Sequence, residues 1–245
     1  MTTRLTERGQ SEVDHGKFLA AGGAEDLWGW GSPAGQRRAQ RRADLIMQGA
    51  RLSAGQSVLE IGCGTGNFTE KFAASGARII AVDLSPDLLD IARQRSLPGV
   101  DFRLMAFEDA DVDGPFDAII ASSVLHHLDL TQAWARTFSL LKPGGRLSVA
   151  EPNMLNPQIY AERHFRRFFP QVSPDETAFV RWQVTRELRA VGFTDISIVP
   201  FDWLHPATPS SLIPLVQGVG GLLERLPLVR EFSGSLWITA VRPTA

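Results

Sequence analysis

Between Ser57 and Asp83 the chain sets an acid, three alternating glycines and a second acid in an order that suits a nucleoside ligand. Glu60 lies within the apolar run Val58-Leu59-Glu60-Ile61, and Gly62, Gly64 and Gly66 alternate with Cys63 and Thr65. Asp83 closes a second apolar run, Ile79-Ile80-Ala81-Val82, roughly 20 residues past the first glycine, a spacing that lets a strand-end acid accept hydrogen bonds from ribose hydroxyls. Glycine takes positive φ and has no Cβ to hold a ligand away, so such a turn can approach its ligand closely. A dinucleotide site would need Gly-x-Gly-x-x-Gly, but Asn67 stands where its third glycine should fall, and no Lys follows to make a P-loop. The chemistry indicated is binding of an adenosine that carries no phosphate. Further on, Ser122 and Ser123 precede His126 and His127. Histidine titrates near neutrality and suits deprotonation of a hydroxyl or an ammonium; structural packing is the other role open to these two rings.

Strands alternating with helices must hold these residues. The run before the glycines reads as a buried parallel strand, and Phe68 and Phe72, four apart, predict a helix leaving the turn. Before it, Ala34 to Ala50 reads as an amphipathic helix with Ala39, Leu45 and Ile46 inward. Arg37, Arg38, Arg41 and Arg42 then form a solvated face, with a phosphate or acidic substrate group as their alternative partner. Ser85-Pro86-Asp87 starts a helix that ends near Ser96. Val100 to Met105, Phe116 to Ala121 and Arg146 to Ala150 are the next strands, and helix 131–141 stops at Lys142-Pro143-Gly144-Gly145. Periodicity fails from Pro152 to Pro174. A helix from Phe179 to Val191 closes at Gly192, and strands Ile196 to Val199 and Leu236 to Val241 flank a Pro/Gly-rich segment that contains Leu212 to Leu228. Such alternation gives a parallel sheet of α/β class.

The stretch Val58-Leu59-Glu60-Ile61-Gly62-Cys63-Gly64-Thr65-Gly66, with Asp83 behind it, resembles the first motif of the class I S-adenosylmethionine-dependent methyltransferases. Leu141-Lys142-Pro143-Gly144-Gly145-Arg146-Leu147 resembles the motif before that family's fifth strand. The resemblance implies a Rossmann-like class I methyltransferase fold: a seven-stranded, mostly parallel sheet whose last strand is antiparallel, with helices on both faces. It implies a methyltransferase domain over 34–245, an N-terminal extension over 1–33 that serves as a flap, and an acceptor-side insertion at about 152–177. The implied cofactor is S-adenosyl-L-methionine, leaving as S-adenosyl-L-homocysteine. Gly62, Cys63, Gly64 and Gly66 would line its methionine portion, and Glu60 would order the loop or reach the cofactor's amino end. Leu84 would pack on adenine, and Ser122 and Ser123 would face the cofactor. Where the family often has Gly-Asp-Ala, with the Asp on the adenine amine, this chain has Met105-Ala106-Phe107-Glu108-Asp109. That contact is left to Glu108, to Asp109, or to a backbone carbonyl with Phe107.

In phosphobase methyltransferases, which this stretch also resembles, a histidine at the place of His127 takes part in catalysis; His126 is the second candidate. The acceptor is expected to be a small molecule methylated on O, N or C. Trp28, Trp30, Tyr160, His164, Phe165, Phe168, Phe169, Trp203 and His205 are its candidate walls, which suits an aromatic, polyketide-like or lipid-linked compound. The segments 201–206 and 234–236 resemble methyltransferases of glycan and secondary-metabolite pathways.

The chain has 245 residues and a net charge of −2, which fits one core and gives no basic footprint for nucleic acid. Its single cysteine excludes an intrachain disulfide, and with no partner spacing for a metal it fits a cytoplasmic protein. Met1 to Gln10 lacks the apolar core of a signal peptide, and Trp203 to Leu223 is too broken by proline and glycine to span a membrane. A monomer or homodimer is expected. Two rival readings are a cofactor-binding protein without turnover and a nicotinamide-dependent reductase; the glycine spacing and the lack of a Tyr-x-x-x-Lys pair oppose the second.

Overall fold

A computed structural model of the chain describes residues 7–109, 112, 114–169 and 178–244. Residues 1–6 of the N-terminal extension, 170–177 of the acceptor-side insertion and the side chain of Asp109 lie outside the described residues. Among the described residues, seven strands form one sheet: β1 (Ser57–Ile61), β2 (Arg78–Asp83), β3 (Val100–Leu104), β4 (Phe116–Ser122), β5 (Leu141–Pro152), β6 (Thr194–Phe201) and β7 (Ser235–Val241). Their order is β3-β2-β1-β4-β5-β7-β6, with β7 antiparallel to both neighbours and the other pairs parallel. This is the Rossmann-like fold of the class I methyltransferases.

Successive side chains of a strand face opposite ways, so each apolar run feeds two cores. Leu59, Ile61, Val82, Ile119, Leu147 and Val149 join Trp134 of α6 (Leu130–Leu140) and Val184 and Leu188 of α8 (Arg181–Val191). Their alternates Val58, Ile79, Ala81, Ala118 and Ile120 pack against α3 (Pro33–Ala50), α4 (Asn67–Ala73) and α5 (Pro86–Gln94). Local signals set the helix ends. Leu88 N donates to Ser85 Oγ ahead of α5, Gly35 N donates to Ser32 Oγ ahead of α3, and Gly192 closes α8 at φ 110°.

Three stretches depart from expectation. The polar N-terminal stretch is helical, as α1 (Glu7–Gly22) and α2 (Ala24–Leu27). Its periodicity is weak because α1 docks on α5 through a glycine: a Cβ on Gly16 would collide with Ser85. Residues 142–145, expected as a stop and turn, belong to β5. Leu141 pairs with Phe116 and Arg146 with Ala118, so Lys142 to Gly145 bulge opposite Asp117, whose Oδ1 accepts from Lys142 Nζ at 2.7 Å. The irregular stretches after β5 and β6 carry α7 (Pro157–His164) and α9 (Ile213–Leu223). Each has its proline in the first turn, where the missing N–H breaks no helical bond.

The sheet order reverses between β1 and β4, and a crevice opens there outside the C-terminal strand ends.

Candidate functional site

The turn after β1 is built for close approach. Gly62, Gly64 and Gly66 sit at φ 65°, 51° and 77°, and Gly62 N and Cys63 N donate to Val82 O at 2.8 and 3.1 Å. A Cβ on Gly62 would collide with Val124. Gly66 stands at the start of α4, against Ala92 and Arg95, and is not part of the cavity wall. Asp83 ties the turn to the end of β2: Oδ2 accepts from Gly64 N at 2.7 Å and Oδ1 from Ser85 N at 2.8 Å. Burial pushes its carboxyl up, against the pull of those two backbone donors. Glu60 is buried behind the turn and away from the cavity, and burial raises its pKa to about 8. Cys63 is buried too, and burial pushes its thiol up.

Above the turn lies a cavity of about 1140 Å³. Its walls include Gly62, Cys63, Gly64, Asp83, Leu84, Met105, Ala106, Phe107, Glu108, Ser122 and Ser123, so the expected nucleoside-facing residues other than Glu60 and Gly66 meet in one place. Residues of α1 close another side with Arg8, Glu12, His15 and Leu19. Trp28 lies over Gly64, within 3.3 Å of where its Cβ would be. Trp30 stands edge-on to Phe68 at 5.3 Å between centroids. Glu25 of α2 accepts from Thr65 Oγ1 at 3.0 Å and Arg95 Nη2 at 2.5 Å, which pins the N-terminal segment to the glycine turn.

The two histidines have different surroundings. His126 is buried, with Nδ1 2.7 Å from Glu151 Oε2. Glu151 Oε1 also accepts from Val124 N and Leu125 N at 3.1 and 3.0 Å, so this pair fixes the turn after β4. His127 is partly exposed on the cavity wall, and its Nδ1 lies 3.0 Å from Glu12 Oε2 on α1. Glu12 could not be found from sequence, because its partner is more than a hundred residues away and α1 carries no motif.

The arginine row is not a uniform solvated face. Arg42 is buried, and burial lowers its pKa to about 10. It donates to Ser123 Oγ at 2.6 Å, to Ala150 O at 3.2 Å and to Ser235 Oγ, so it joins the ends of β4, β5 and β7 beneath the cavity. Ser123 sits at φ 57°, a strained position for a non-glycine that this contact supports. Arg38 Nε donates to Asp202 Oδ2 at 2.8 Å, and Arg41 grips Glu224 through two bonds of 2.8 and 2.5 Å. Arg37 and Arg41 are exposed and match the solvated reading, Arg41 while paired with Glu224.

On the acceptor side, Trp203, His205 and Phe169 line the cavity. Tyr160, His164, Phe165 and Phe168 do not: all four are exposed, with Tyr160 stacked on His164 at 3.9 Å. The wall includes Ile159, Glu162 and Arg163 of α7. At about 100° per residue those three share a face, and 160 and 164 turn off it.

Residues 58–145 match the family described as methyltransferase domain. The chain is 39% identical over 151 residues to the ubiquinone biosynthesis O-methyltransferase of Xanthomonas axonopodis pv. citri, an overlap of 59% of this chain and 62% of that one. It thus spans less than two thirds of that relative's length. Phosphoethanolamine N-methyltransferase 2 of Haemonchus contortus, solved with phosphomonomethylethanolamine and S-adenosylhomocysteine, has a TM-score of 0.68 at 18% identity, covering 98% of this chain and 61% of that one. The N-methyltransferase NodS of Bradyrhizobium japonicum, solved with S-adenosylhomocysteine, has a TM-score of 0.58 at 21% identity, covering 87% and 89%.

Proposed function

We propose that this chain is an S-adenosylmethionine-dependent methyltransferase acting on a hydroxyl of a small, largely apolar molecule. The observation that carries this is the glycine turn, bound to Asp83, on the wall of a cavity of about 1140 Å³. Single-ligand pockets run from about 300 to 1,000 Å³, so this one has room for a nucleoside and an acceptor together. When bound, the cofactor supplies a sulfonium-activated methyl group, and the protein's task is to align the acceptor and keep water out.

Asp83 holds the ribose, because each of its oxygens keeps a lone pair after accepting one backbone N–H. Phe107 and Leu84 take the adenine. Trp28 and the face of α1 that carries Glu12 cover the site against solvent. His127 takes the acceptor's proton through Nε2, and Glu12, beside Nδ1, stabilises the imidazolium that forms. A base placed this way serves a hydroxyl or an ammonium, and oxygen is chosen because the Xanthomonas relative is named an O-methyltransferase. Trp203, Leu204, Ile159 and Phe169 give the acceptor wall its apolar surface, beside the polar Glu162, Arg163 and His205.

Calorimetric titration with S-adenosylmethionine, S-adenosylhomocysteine and NADPH tests the reading. Micromolar binding of the first two and none of NADPH is expected. Binding of NADPH, or of nothing, overturns it.

A further inference from the structure

Between β6 and β7 the chain exposes an apolar surface that the cavity does not use. Leu215, Val219 and Leu222 of α9 and Leu226 beyond it recur at the spacing of one helix face, and they are 64%, 46%, 61% and 50% exposed. Leu212 and Leu228 extend the surface at either end, the latter 82% exposed. A contiguous apolar patch of this kind marks an interaction site. The opposite face of α9 is packed: Ile213 clusters with Leu204 and Ala34, and Gly220 lies against Trp203.

The charges around the patch identify what covers it. The acids of segment 209–232 are Glu224 and Glu231, and both turn inward. Glu224 binds Arg41 and the Asp202 N–H, Glu231 binds Arg181, and their side chains are 15% and 16% exposed. Arg225 is exposed, and Arg230 is partly so with its Nε 3.7 Å from Glu231 Oε1, an acid it shares with Arg181. The rim is therefore cationic around an apolar centre. A second copy meeting this face about a two-fold axis would set these arginines against their own kind with no exposed acid of the segment to meet them. An anionic lipid surface complements both the leucines and the arginines. At about 1.5 Å per residue, α9 is roughly half as long as the ~30 Å hydrocarbon core, so it lies in the interface and does not cross.

We propose that α9 and the segment following it dock this protein on an anionic membrane surface. Trp203 and Leu204 are shared by the packed side of α9 and the cavity wall, so docking sets that wall beside the lipid.

Flotation of the purified chain with phosphatidylcholine vesicles, with and without phosphatidylglycerol, tests this without any turnover, so its outcome is separate from that of the methyltransferase reading. The chain is expected to float with the anionic vesicles and to bind less at high salt. Leu215→Asp with Leu222→Asp should weaken partitioning about a hundredfold, roughly tenfold for each buried leucine lost. Arg225→Glu, which keeps every leucine, should weaken binding to the anionic vesicles alone. Absence of the wild-type chain from both vesicle fractions overturns the proposal. So does a dimer in sedimentation that the leucine variant converts to monomer, which would make a second copy the occupant.

Discussion

Both oxygens of Asp83 are engaged by backbone N–H groups, so the side chain reaches the cavity already oriented. Removing it takes away a charge-assisted contact and also frees Gly64 N from its acceptor. Asp83→Ala should weaken S-adenosylmethionine binding by about tenfold to a hundredfold in calorimetry; unchanged affinity would refute the ribose role. His127→Ala should lower kcat about a hundredfold or more, with cofactor affinity intact. Glu12→Gln keeps the shape of its side chain but loses the charge 3.0 Å from the ring, so kcat should fall about tenfold without a change in KM for the cofactor. Full kcat in both variants would mean that transfer runs on proximity alone. What the sequence made legible at this scale follows from distance along the chain. Glycines and an acid joined by one strand–helix–strand unit can be read from spacing. Arg42 with Ser235, His127 with Glu12 and Arg38 with Asp202 cannot, because each pair is assembled by the fold.

Among the elements, β1 carries a consequence for stability. Glu60 is buried one residue before the strand's end, and its folded pKa of about 8 lies far above the ordinary carboxyl value. The folded state therefore keeps a proton that the unfolded state releases above about pH 4.5. Stability from this group is present at low pH and declines as pH rises toward 8. Glu60→Gln, which cannot ionise, should raise the melting temperature by several degrees at about pH 8 and by little at about pH 5. An equal change at both pH values would show that the acid is charged in the folded state. The elements also explain which boundaries were legible. Strands buried on both faces read clearly as apolar runs, and capped helices such as α5 began where Ser85 and Pro86 indicate. The helices α1, α7 and α9 were hidden because each has a weak or absent inward face: α7 has no buried residue, and α9 points its leucines outward. The bulge in β5 was hidden because its glycines and proline look like a turn until the register opposite Asp117 is known.

At the scale of the whole molecule, the cavity draws its walls from segments that meet only in the folded chain: α1, the ends of β1, β2 and β4, α7, and the residues after β6. A ligand bound there stabilises the folded state alone, by about 2.7 kcal/mol at a hundred times its Kd. For a chain of 245 residues this amounts to a rise in melting temperature of about 5–10 °C. S-adenosylmethionine and S-adenosylhomocysteine should each produce it in a thermal-shift measurement. Gly16→Leu would separate the cover from the core. Gly16 lets α1 lie against Ser85, so a side chain there wedges α1 off α5, while the two sheet cores, which contain no α1 residue, stay packed. The variant should melt within a few degrees of the wild type without ligand and lose most of the ligand-induced rise. An undiminished rise would mean that the glycine turn and Asp83 hold the cofactor without α1.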